Sequence, residues 1–313
     1  MTPIGGYFEL ELPQGSEYHG QAIALNTGRN ALEYILRVHG YQRVYLPYYS
    51  CEVLLKPFTK LGVEYSFYRI NRNLELEQPV SLNDGEAILY INYFGLKSDY
   101  AVALSAVYGK QLIVDNTQAF FARPIDSIDT FYSCRKFFGV ADGAYLYCDK
   151  QLDMEIEQDV SWERMGYLLK RIDNSPESAY TDFRTQSDRL KNNPIRTMSS
   201  LTRRIMSSID YDEVATIRRQ NYRFLDQALC SKNGISLPLV DDAVPMVYPY
   251  LTTDINLRKH LIDNRIYVAQ YWPNVLQQAD GDTTEYTLTT QLIPLPIDQR
   301  YDSQEMKRII ELI

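Results

Sequence analysis

The sequence is poor in the residues that build disulfide frameworks and metal centres. Four cysteines and three histidines occur among 313 residues, and no two cysteines form a C-x-x-C pair. Scattered cysteines indicate neither a disulfide framework nor a cysteine-based zinc site. The three histidines lie far apart in the sequence. We therefore expect no metal centre.

Signs of a membrane, secreted or nucleic-acid-binding protein are also missing. No apolar run approaches the roughly 20 residues that a membrane span needs. Met1–Gly6 has no basic segment followed by an apolar one, so no signal peptide is expected. The 40 acidic residues outnumber 32 basic ones, for a net charge of −8. Such a chain is not expected to bind nucleic acid or an anionic membrane, and we predict a cytoplasmic protein.

Three common catalytic or nucleotide-binding signatures are absent. No G-x-G-x-x-G follows a predicted strand, and neither G-x-x-x-x-G-K-[ST] nor G-x-S-x-G occurs. Their absence argues against a simple dinucleotide-dependent dehydrogenase, a P-loop enzyme and an ordinary α/β-hydrolase.

Tyrosine, by contrast, is abundant. The chain has 26 tyrosines against 11 phenylalanines and two tryptophans. A tyrosine ring packs like an apolar group but keeps a hydroxyl that needs a partner. The excess indicates either a polar-ligand cleft or subunit interface, or mere compositional drift. Several tyrosines, among them Tyr45, Tyr90 and Tyr132, fall near predicted strand ends, where they could line a cleft, and Tyr267 and Tyr271 could face it from the C-terminal region.

The first half of the chain alternates helix and strand patterns. Asn26 and Thr27 can cap a helix over Asn30–His39 that Gly40 ends, and Ser50 can cap a second helix that ends at Gly62. The predicted strands are Arg43–Leu46, Tyr65–Ile70, Ala87–Tyr93, Gln111–Val114, Thr130–Tyr132 and Ala144–Cys148, and a helix is predicted over Tyr100–Tyr108. This alternation predicts an α/β domain with a mostly parallel sheet.

The pattern changes after Lys150. Trp162–Ile172 and Ser199–Leu229 look helical, the second long enough to connect two domains. The C-terminal region is predicted to contain an apolar segment over Val244–Leu251, a helix over Leu257–Asn264, a strand over Arg265–Gln270 and a terminal helix from Ser303. We therefore predict a large α/β domain over 1–205, followed over 206–313 by a connecting helix and a small α+β domain.

Three segments of the large domain carry candidate chemistry. Gly28 and Arg29 begin the first helix, where free N–H groups favour a phosphate. Asp115 follows an apolar strand, at the strand end where ligands of α/β proteins bind. Lys136 lies 21 positions later in an aromatic and glycine-containing loop, where desolvation would make its amine nucleophilic. Taken singly, each segment also has an ordinary structural interpretation: a helix cap that binds no ligand, an Asx turn and a solvated lysine.

Together the three segments supply what pyridoxal 5'-phosphate (PLP) needs. A helix start can hold the phosphate, a carboxylate can pair with the pyridinium nitrogen, and a lysine can form a Schiff base and transfer protons.

In these segments the sequence resembles the DegT/DnrJ/EryC1/StrS sugar aminotransferases, a family of fold-type-I PLP enzymes. Thr27–Leu32 is similar to the family's helix start, Val114–Ala119 to its E-D-x-A-Q-A segment, and Phe131–Ala144 to its lysine loop. Weaker similarities lie at Leu46–Cys51, Asn193–Met198, Arg218-Arg219 and Leu292–Ile297, so the resemblance spans most of the chain. A lysine at position 136, rather than histidine, is typical of the aminotransferases and not of the related dehydratases.

The resemblance implies a role for each candidate residue. Lys136 is the catalytic residue, Asp115 holds the pyridinium nitrogen and Gln118 reaches the ring hydroxyl. The expected phosphate ligands are Gly28, Arg29, Asn30 and Ser133, and Tyr49 is expected to stack on the cofactor. Weaker substrate candidates are Tyr48, Tyr93 and Arg196, the last reaching across a dimer interface.

The sequence departs from the family pattern around the phosphate. Arg29 replaces the usual threonine, and Phe131 replaces a serine five residues before Lys136, although Ser133 can supply a hydroxyl. Gly143-Ala144 stands for the usual Gly-Gly, and Pro194 replaces an asparagine. These changes indicate a rebuilt phosphate site.

The resemblance implies a homodimer with shared active sites, in which glutamate donates an amino group to a keto sugar. In the family that sugar is most often nucleotide-linked, and the products enter cell-surface polysaccharides or deoxyaminosugars. Two alternatives stay open: a catalytically inactive relative that acts as a binding or scaffold subunit, and an aminotransferase for a small keto acid.

Overall fold

The computed structural model describes residues 4–313, in which a large sheet and a small sheet are flanked by helices. The strands are β1 (Ile23–Leu25), β2 (Arg43–Pro47), β3 (Glu64–Tyr68), β4 (Glu86–Ile91), β5 (Leu112–Asn116), β6 (Asp129–Ser133), β7 (Ala144–Tyr147), β8 (Val247–Leu251) and β9 (Leu292–Pro296). The α-helices are α1 (Gly28–His39), α2 (Lys56–Leu61), α3 (Ser98–Tyr108), α4 (Gly166–Asp173), α5 (Pro176–Arg189), α6 (Ser200–Met206), α7 (Tyr211–Leu229), α8 (Leu257–Asp263), α9 (Thr284–Gln291) and α10 (Ser303–Ile310).

The large sheet has the strand order β1-β7-β6-β5-β4-β2-β3. Strands β3, β2, β4, β5 and β6 are parallel, whereas β7 runs antiparallel to both β6 and β1. Every residue of β4 and β5 is buried, as expected for central strands covered on both faces. The predicted α/β fold with a mostly parallel sheet is confirmed.

Helix α1 begins and ends where the sequence predicts a cap. The Thr27 hydroxyl accepts a hydrogen bond from the Asn30 backbone N–H, and Gly40 ends the helix with φ of 63°. A left-handed residue at this position is readily supplied by glycine. The helix packs against β6 and β7, so its first turn lies beside the carboxyl ends of the parallel strands.

The C-terminal part forms the second sheet, in which β8 and β9 pair antiparallel. The large sheet lies within 23–147 and the small one within 247–296. The boundary at 205/206 stays a prediction.

Three local predictions are wrong. Ser50 caps no helix, because its hydroxyl donates to the Pro47 carbonyl and a 3-10 turn over Glu52–Leu55 precedes α2. The helix predicted over Ser199–Leu229 is broken into α6 and α7, and Asp210 caps the second. Within the described chain, Arg265–Gln270 pairs with no strand. Buried and exposed residues alternate in this segment because Ile266 and Val268 pack against the protein, and such packing does not require a strand partner.

Elements that the sequence reading did not predict include α5, α9, β1 and β9. No helix formed by residues 4–313 has the length and apolar character to cross a membrane. Met1–Pro3, part of the segment in which no signal peptide is expected, lie outside the described residues.

Candidate active site

A cavity of about 200 Å³ opens at the carboxyl ends of the parallel strands. Strand pairing places Ile91, Asp115 and Phe131 side by side at the ends of β4, β5 and β6. The lining residues are Thr27, Gly28, Arg29, Cys51, Val53, Leu54, Ile91, Asp115, Thr117, Gln118, Phe131, Ser133, Arg135, Lys136, Gly143 and Trp272. This is where α/β folds bind their ligands.

Asp115 forms the acidic part of the cavity. Its side chain is buried, and its carboxylate accepts a 2.8 Å hydrogen bond from the Thr117 backbone N–H. Burial raises the pKa of Asp115, against the opposing effects of the Lys136 charge and the Thr117 hydrogen bond. A carboxylate in this position can pair with a cationic or N–H group of a ligand.

Lys136 lies in a 3-10 turn directly after β6. Its Nζ donates a 2.8 Å hydrogen bond to Thr117 Oγ1, and the side chain remains open to solvent through the cavity mouth. The surrounding protein lowers the pKa of Lys136 by desolvation, and Asp115 opposes this shift. Desolvation therefore favours the neutral, nucleophilic amine.

The loop after Lys136 is held by a buried carboxylate and a glycine. Asp142 accepts hydrogen bonds from the Ser199 N–H (2.9 Å), the Ser199 hydroxyl (2.8 Å) and the Thr202 hydroxyl. Gly143 has φ of +116°, and a Cβ there would lie 3.0 Å from Cys134 Sγ. These contacts anchor the lysine loop to α6.

Two arginines lie at the start of α1: Arg29 is its second residue, and Arg135 lines the same cavity. Arg29 donates to the Leu190 carbonyl (2.7 Å) and Arg135 to the Ser187 hydroxyl (3.1 Å). The Nε atoms of both guanidinium groups are buried without a hydrogen-bond partner in the described chain. Burial lowers the pKa of Arg29; Cys51 opposes this shift, whereas the neighbouring Arg135 charge adds to it. Uncompensated cations at a helix N-terminus form a strong anion site.

The predicted site residues fall into two groups. Those that line the cavity are Gly28, Arg29, Asp115, Gln118, Ser133 and Lys136. Asn30, Tyr48, Tyr49, Tyr93 and Arg196 do not line it.

The second group makes contacts elsewhere. Asn30 is buried and donates to Asn26 Oδ1 and to the Pro194 carbonyl, each at 2.7 Å. Tyr48 stacks on Phe67. Arg196 lies near acidic side chains, those of Glu157 at 3.4 Å and Asp159 at 3.7 Å.

Tyr49 lies behind the cavity wall. Its ring packs edge-on against Trp272 with 4.7 Å between centroids, and its carbonyl accepts a 2.8 Å hydrogen bond from the Tyr93 hydroxyl. Trp272 itself lines the cavity. The C-terminal region therefore contributes an aromatic side chain to the wall in addition to Phe131, and the sequence did not predict this contribution.

Thr117 and Arg135 also line the cavity but were not predicted as site residues, although the sequence contains a signal for each. Thr117 lies within the strand-end segment that identified Asp115, and Arg135 directly precedes Lys136. No local pattern marks Trp272 or its approach to the strand ends.

A second cavity of about 350 Å³ adjoins the first and shares Gln118, Lys136 and Trp272 with it. Two of its other lining residues are Arg218 and Arg300.

Arg218 is 1% exposed and donates to Gln299 Oε1 (3.0 Å) and to backbone carbonyls, without a carboxylate ligand in the described chain. Burial lowers the pKa of Arg218 to about 10. Arg300 pairs with Asp298 through two hydrogen bonds, of 2.6 and 2.9 Å.

Most of the tyrosines are structural. No tyrosine of the described chain lines the first cavity, and only Tyr267 and Tyr271 line the second. The buried hydroxyls mostly donate to distant backbone carbonyls: Tyr68 to Leu89, Tyr90 to Leu74, Tyr132 to Ala122 and Tyr222 to Leu237. The expected tyrosine-lined pocket is thus limited to the C-terminal wall.

Neither a protein-family model nor a curated protein matches the sequence. Solved structures do resemble the chain. The sugar aminotransferase CalS13 from Micromonospora echinospora is 14% identical, with a TM-score of 0.62 over 94% of this chain and 86% of that one. A DegT/DnrJ/EryC1/StrS aminotransferase from Brucella abortus is 13% identical, with a TM-score of 0.61 over 93% and 84%.

The PLP-form of Spr1654 from Streptococcus pneumoniae is 15% identical, with a TM-score of 0.63 over 93% of this chain and 86% of that one. These similarities extend over nearly the whole chain. The protein therefore has the fold of the DegT/DnrJ/EryC1/StrS sugar aminotransferases, as its sequence motifs predicted.

Proposed function

We propose that this protein is a PLP-dependent aminotransferase that transfers an amino group to a keto sugar. The observation that carries the proposal is the arrangement in one cavity of a desolvated lysine, a buried carboxylate and a cationic helix start. The resemblance to sugar aminotransferases of the same fold supports the class of acceptor.

The residues present fit the cofactor. Arg29 and Arg135 each have a buried Nε that no protein group satisfies within residues 4–313, and a phosphate would supply acceptors for both. Gly28 lies close to Thr117, where a Cβ would approach Cγ2 to 3.0 Å, so a side chain at this position would crowd the helix start beside the cavity. Asp115 suits a protonated ring nitrogen, and Ile91 and Phe131 provide apolar walls.

When bound, PLP supplies the electron-withdrawing ring that makes amino-group transfer possible. The protein's residues position that chemistry. Asp115 would hold a proton on the ring nitrogen, and the first turn of α1 with Arg29, Arg135 and Ser133 would hold the phosphate. Gln118 is expected to face the ring hydroxyl, although its Oε1 also accepts a 3.0 Å hydrogen bond from the Phe94 N–H.

Lys136 is the proposed catalytic base and acid. Desolvation favours its neutral form, in which Nζ can accept a proton from the substrate and return it. Thr117 Oγ1 accepts a hydrogen bond from Nζ and so positions it beside the cavity. The Asp115 carboxylate favours the ammonium form of Lys136, so Nζ can also act as an acid.

The second cavity supplies the proposed substrate site. Arg218 and Arg300 make it cationic, with Asp298 as a partial counter-charge. This fits the carboxylate of an amino donor such as glutamate. It also supports a small keto acid as a competing acceptor, because such an acid carries the same group.

The finer points of the proposal concern substrate and setting. We propose a nucleotide-linked keto sugar as acceptor, and a role in polysaccharide or deoxyaminosugar biosynthesis in the cytoplasm. Arg196, Tyr48 and Tyr93 lie outside both cavities, and any substrate contact by them would require the homodimer that we also propose.

The test is a comparison of purified wild-type protein with Lys136→Ala. We expect the wild type to be yellow, or to become so with added PLP, and the variant to lack that visible band. Glutamate and a panel of keto sugars should then yield 2-oxoglutarate with the wild type alone. A wild-type protein that cannot be loaded with PLP would instead support a scaffold subunit, and turnover of small keto acids alone would refute the sugar acceptor.

A further inference from the structure

A cluster of three metal-ligating side chains lies at the edge of the large sheet opposite the cavity. His39 is the last residue of α1, Asp129 is the first residue of β6, and Cys148 follows the last residue of β7. One ligand atom from each side chain lies within 4.8 Å of the others. The three residues are distant in sequence, and β6 and β7 pair antiparallel, so the sheet itself brings Asp129 and Cys148 together.

The side chains of His39 and Asp129 are in direct contact. His39 Nε2 lies 2.7 Å from Asp129 Oδ2. Nε2 is nevertheless buried without a hydrogen-bond partner in the described chain. Two ligand atoms of one metal ion lie side by side, and each points at the ion rather than at the other.

Cys148 completes the cluster as a sulfur ligand. Its side chain is half-buried, and its Sγ lies within 4.8 Å of the ligand atoms of His39 and Asp129. A cation between Cys148 and Asp129 would offset the negative charge of a thiolate beside a carboxylate.

We propose that His39, Asp129 and Cys148 form a zinc site, with water as the fourth ligand. Imidazole nitrogen, carboxylate oxygen and thiolate sulfur are the three ligand types that Zn²⁺ takes in proteins. In a tetrahedral site with ordinary bond lengths, neighbouring ligand atoms lie about 3.3 to 3.6 Å apart. The cluster reaches this spacing through small side-chain shifts, in which His39 and Asp129 move slightly apart.

The surrounding charge favours a cation. The carbonyl groups of the last turn of α1 make the negative end of that helix dipole, and His39 is its last residue. Asp149 adds a second carboxylate near the thiol. Tyr41 stacks parallel on the His39 ring at 5.0 Å and fixes its plane.

Zinc at this site would tie α1 to the sheet. Helix α1 has 12 residues, which corresponds to a length of about 18 Å. The ion would therefore lie about that far from the proposed phosphate site at the other end of the helix. Its role is structural, since the site lies outside both cavities.

The experiment is a titration of the full-length protein, kept reduced, with Co²⁺ and then Zn²⁺. We expect one Co²⁺ per chain with an ultraviolet thiolate-to-cobalt band, its displacement by Zn²⁺, and a higher melting temperature with Zn²⁺. Cys148→Ser should lose the band and weaken Zn²⁺ binding about tenfold or more, and His39→Gln should weaken it similarly.

The matched controls are Cys230→Ser and His260→Gln, two exposed residues outside the cluster. Both should bind like the wild type. A wild-type protein that gives no thiolate-to-cobalt band would refute the site, whether or not the variants fold. Equal Zn²⁺ binding by Cys148→Ser and Cys230→Ser would also refute it.

Discussion

At the scale of single residues, the candidate site depends on an unusual pair of cations. Arg29 is the second residue of α1 and Arg135 directly precedes the proposed catalytic lysine, yet both line the same cavity. A phosphate dianion would neutralise both charges. Arg29 stands where the family usually has a threonine, so guanidinium groups take the place of a hydroxyl at this site.

This arrangement predicts a phosphate-specific loss in Arg29→Ala and Arg135→Ala. A charge-assisted hydrogen bond contributes roughly 1.5 to 3 kcal/mol, so each variant should bind PLP about 10- to 100-fold more weakly. Binding of pyridoxal, which lacks the phosphate, should change little. Absorbance titrations with both compounds measure the ratio, and Arg171→Ala, at an exposed position, is the control. Equal losses for PLP and pyridoxal would contradict a phosphate contact.

The lysine gives a prediction about pH. Desolvation lowers the pKa of Lys136, and the Asp115 carboxylate opposes this shift. Cofactor-free protein should therefore be modified at Lys136 by an amine reagent at a pH below the usual lysine pKa of about 10.4.

Asp115→Asn tests the sign of that coupling. Removing the carboxylate removes the interaction that favours the ammonium form, so the pKa of Lys136 should fall further and modification should begin at lower pH. Mass spectrometry of the modified peptide over a pH series measures both proteins. A midpoint in Asp115→Asn that is unchanged or higher would show that the two groups do not interact as described.

At the scale of elements, the lysine loop depends on a glycine that no other residue replaces without strain. Gly143 has φ of +116° and its Cα faces Cys134 and Thr202. The N–H of Gly143 also donates to the Asn26 carbonyl, which joins the loop to the segment before α1. The conformation of the loop and the start of α1 are therefore coupled.

We expect Gly143→Ala to lower the free energy of unfolding by about 1 to 3 kcal/mol, because the added Cβ is strained in this conformation. Urea denaturation followed by circular dichroism measures the change. Gly166→Ala is the matched control, since no atom lies within 4 Å of a Cβ there and its φ is not positive. Its stability should stay within about 1 kcal/mol of the wild type. A Gly143→Ala protein as stable as that control would show that the loop tolerates a side chain.

At the scale of the whole molecule, the chain exposes large apolar side chains near its N-terminus. Ile4, Tyr7 and Phe8 are more than 90% exposed and Leu10 is 62% exposed. Clustered exposed apolar groups typically mark an interaction surface. This fits the proposed homodimer, in which the segment would pack against the partner.

Deletion of residues 1–12 should therefore weaken the dimer. Sedimentation velocity over a range of protein concentrations is the measurement. We expect the full-length chain to sediment as a dimer and the truncated chain to dissociate at a higher concentration. A full-length chain that is monomeric throughout would refute the proposed dimer, and an unaffected truncated dimer would place the interface elsewhere.

Much of the fold could be predicted because its signals are local. The cap at Thr27, the stop at Gly40 and the apolar run of β4 each depend on a few neighbouring residues. The errors arose where local patterns have more than one structural outcome. Alternating burial of Ile266 and Val268 occurs without a strand partner, and the helical pattern after Ser199 continues across a break that Asp210 caps.

The sequence by itself determined the order of the strands and helices from α1 to β7, and the positions of Asp115 and Lys136 relative to them. Capping and hydrophobic periodicity act over one or two turns, so they can be read without the fold. Only the tertiary structure decided which distant side chains meet: Arg29 with Arg135, Trp272 with the strand ends, and His39 with Asp129 and Cys148. Those meetings depend on sheet register and on packing between segments far apart in the chain, which no local pattern contains.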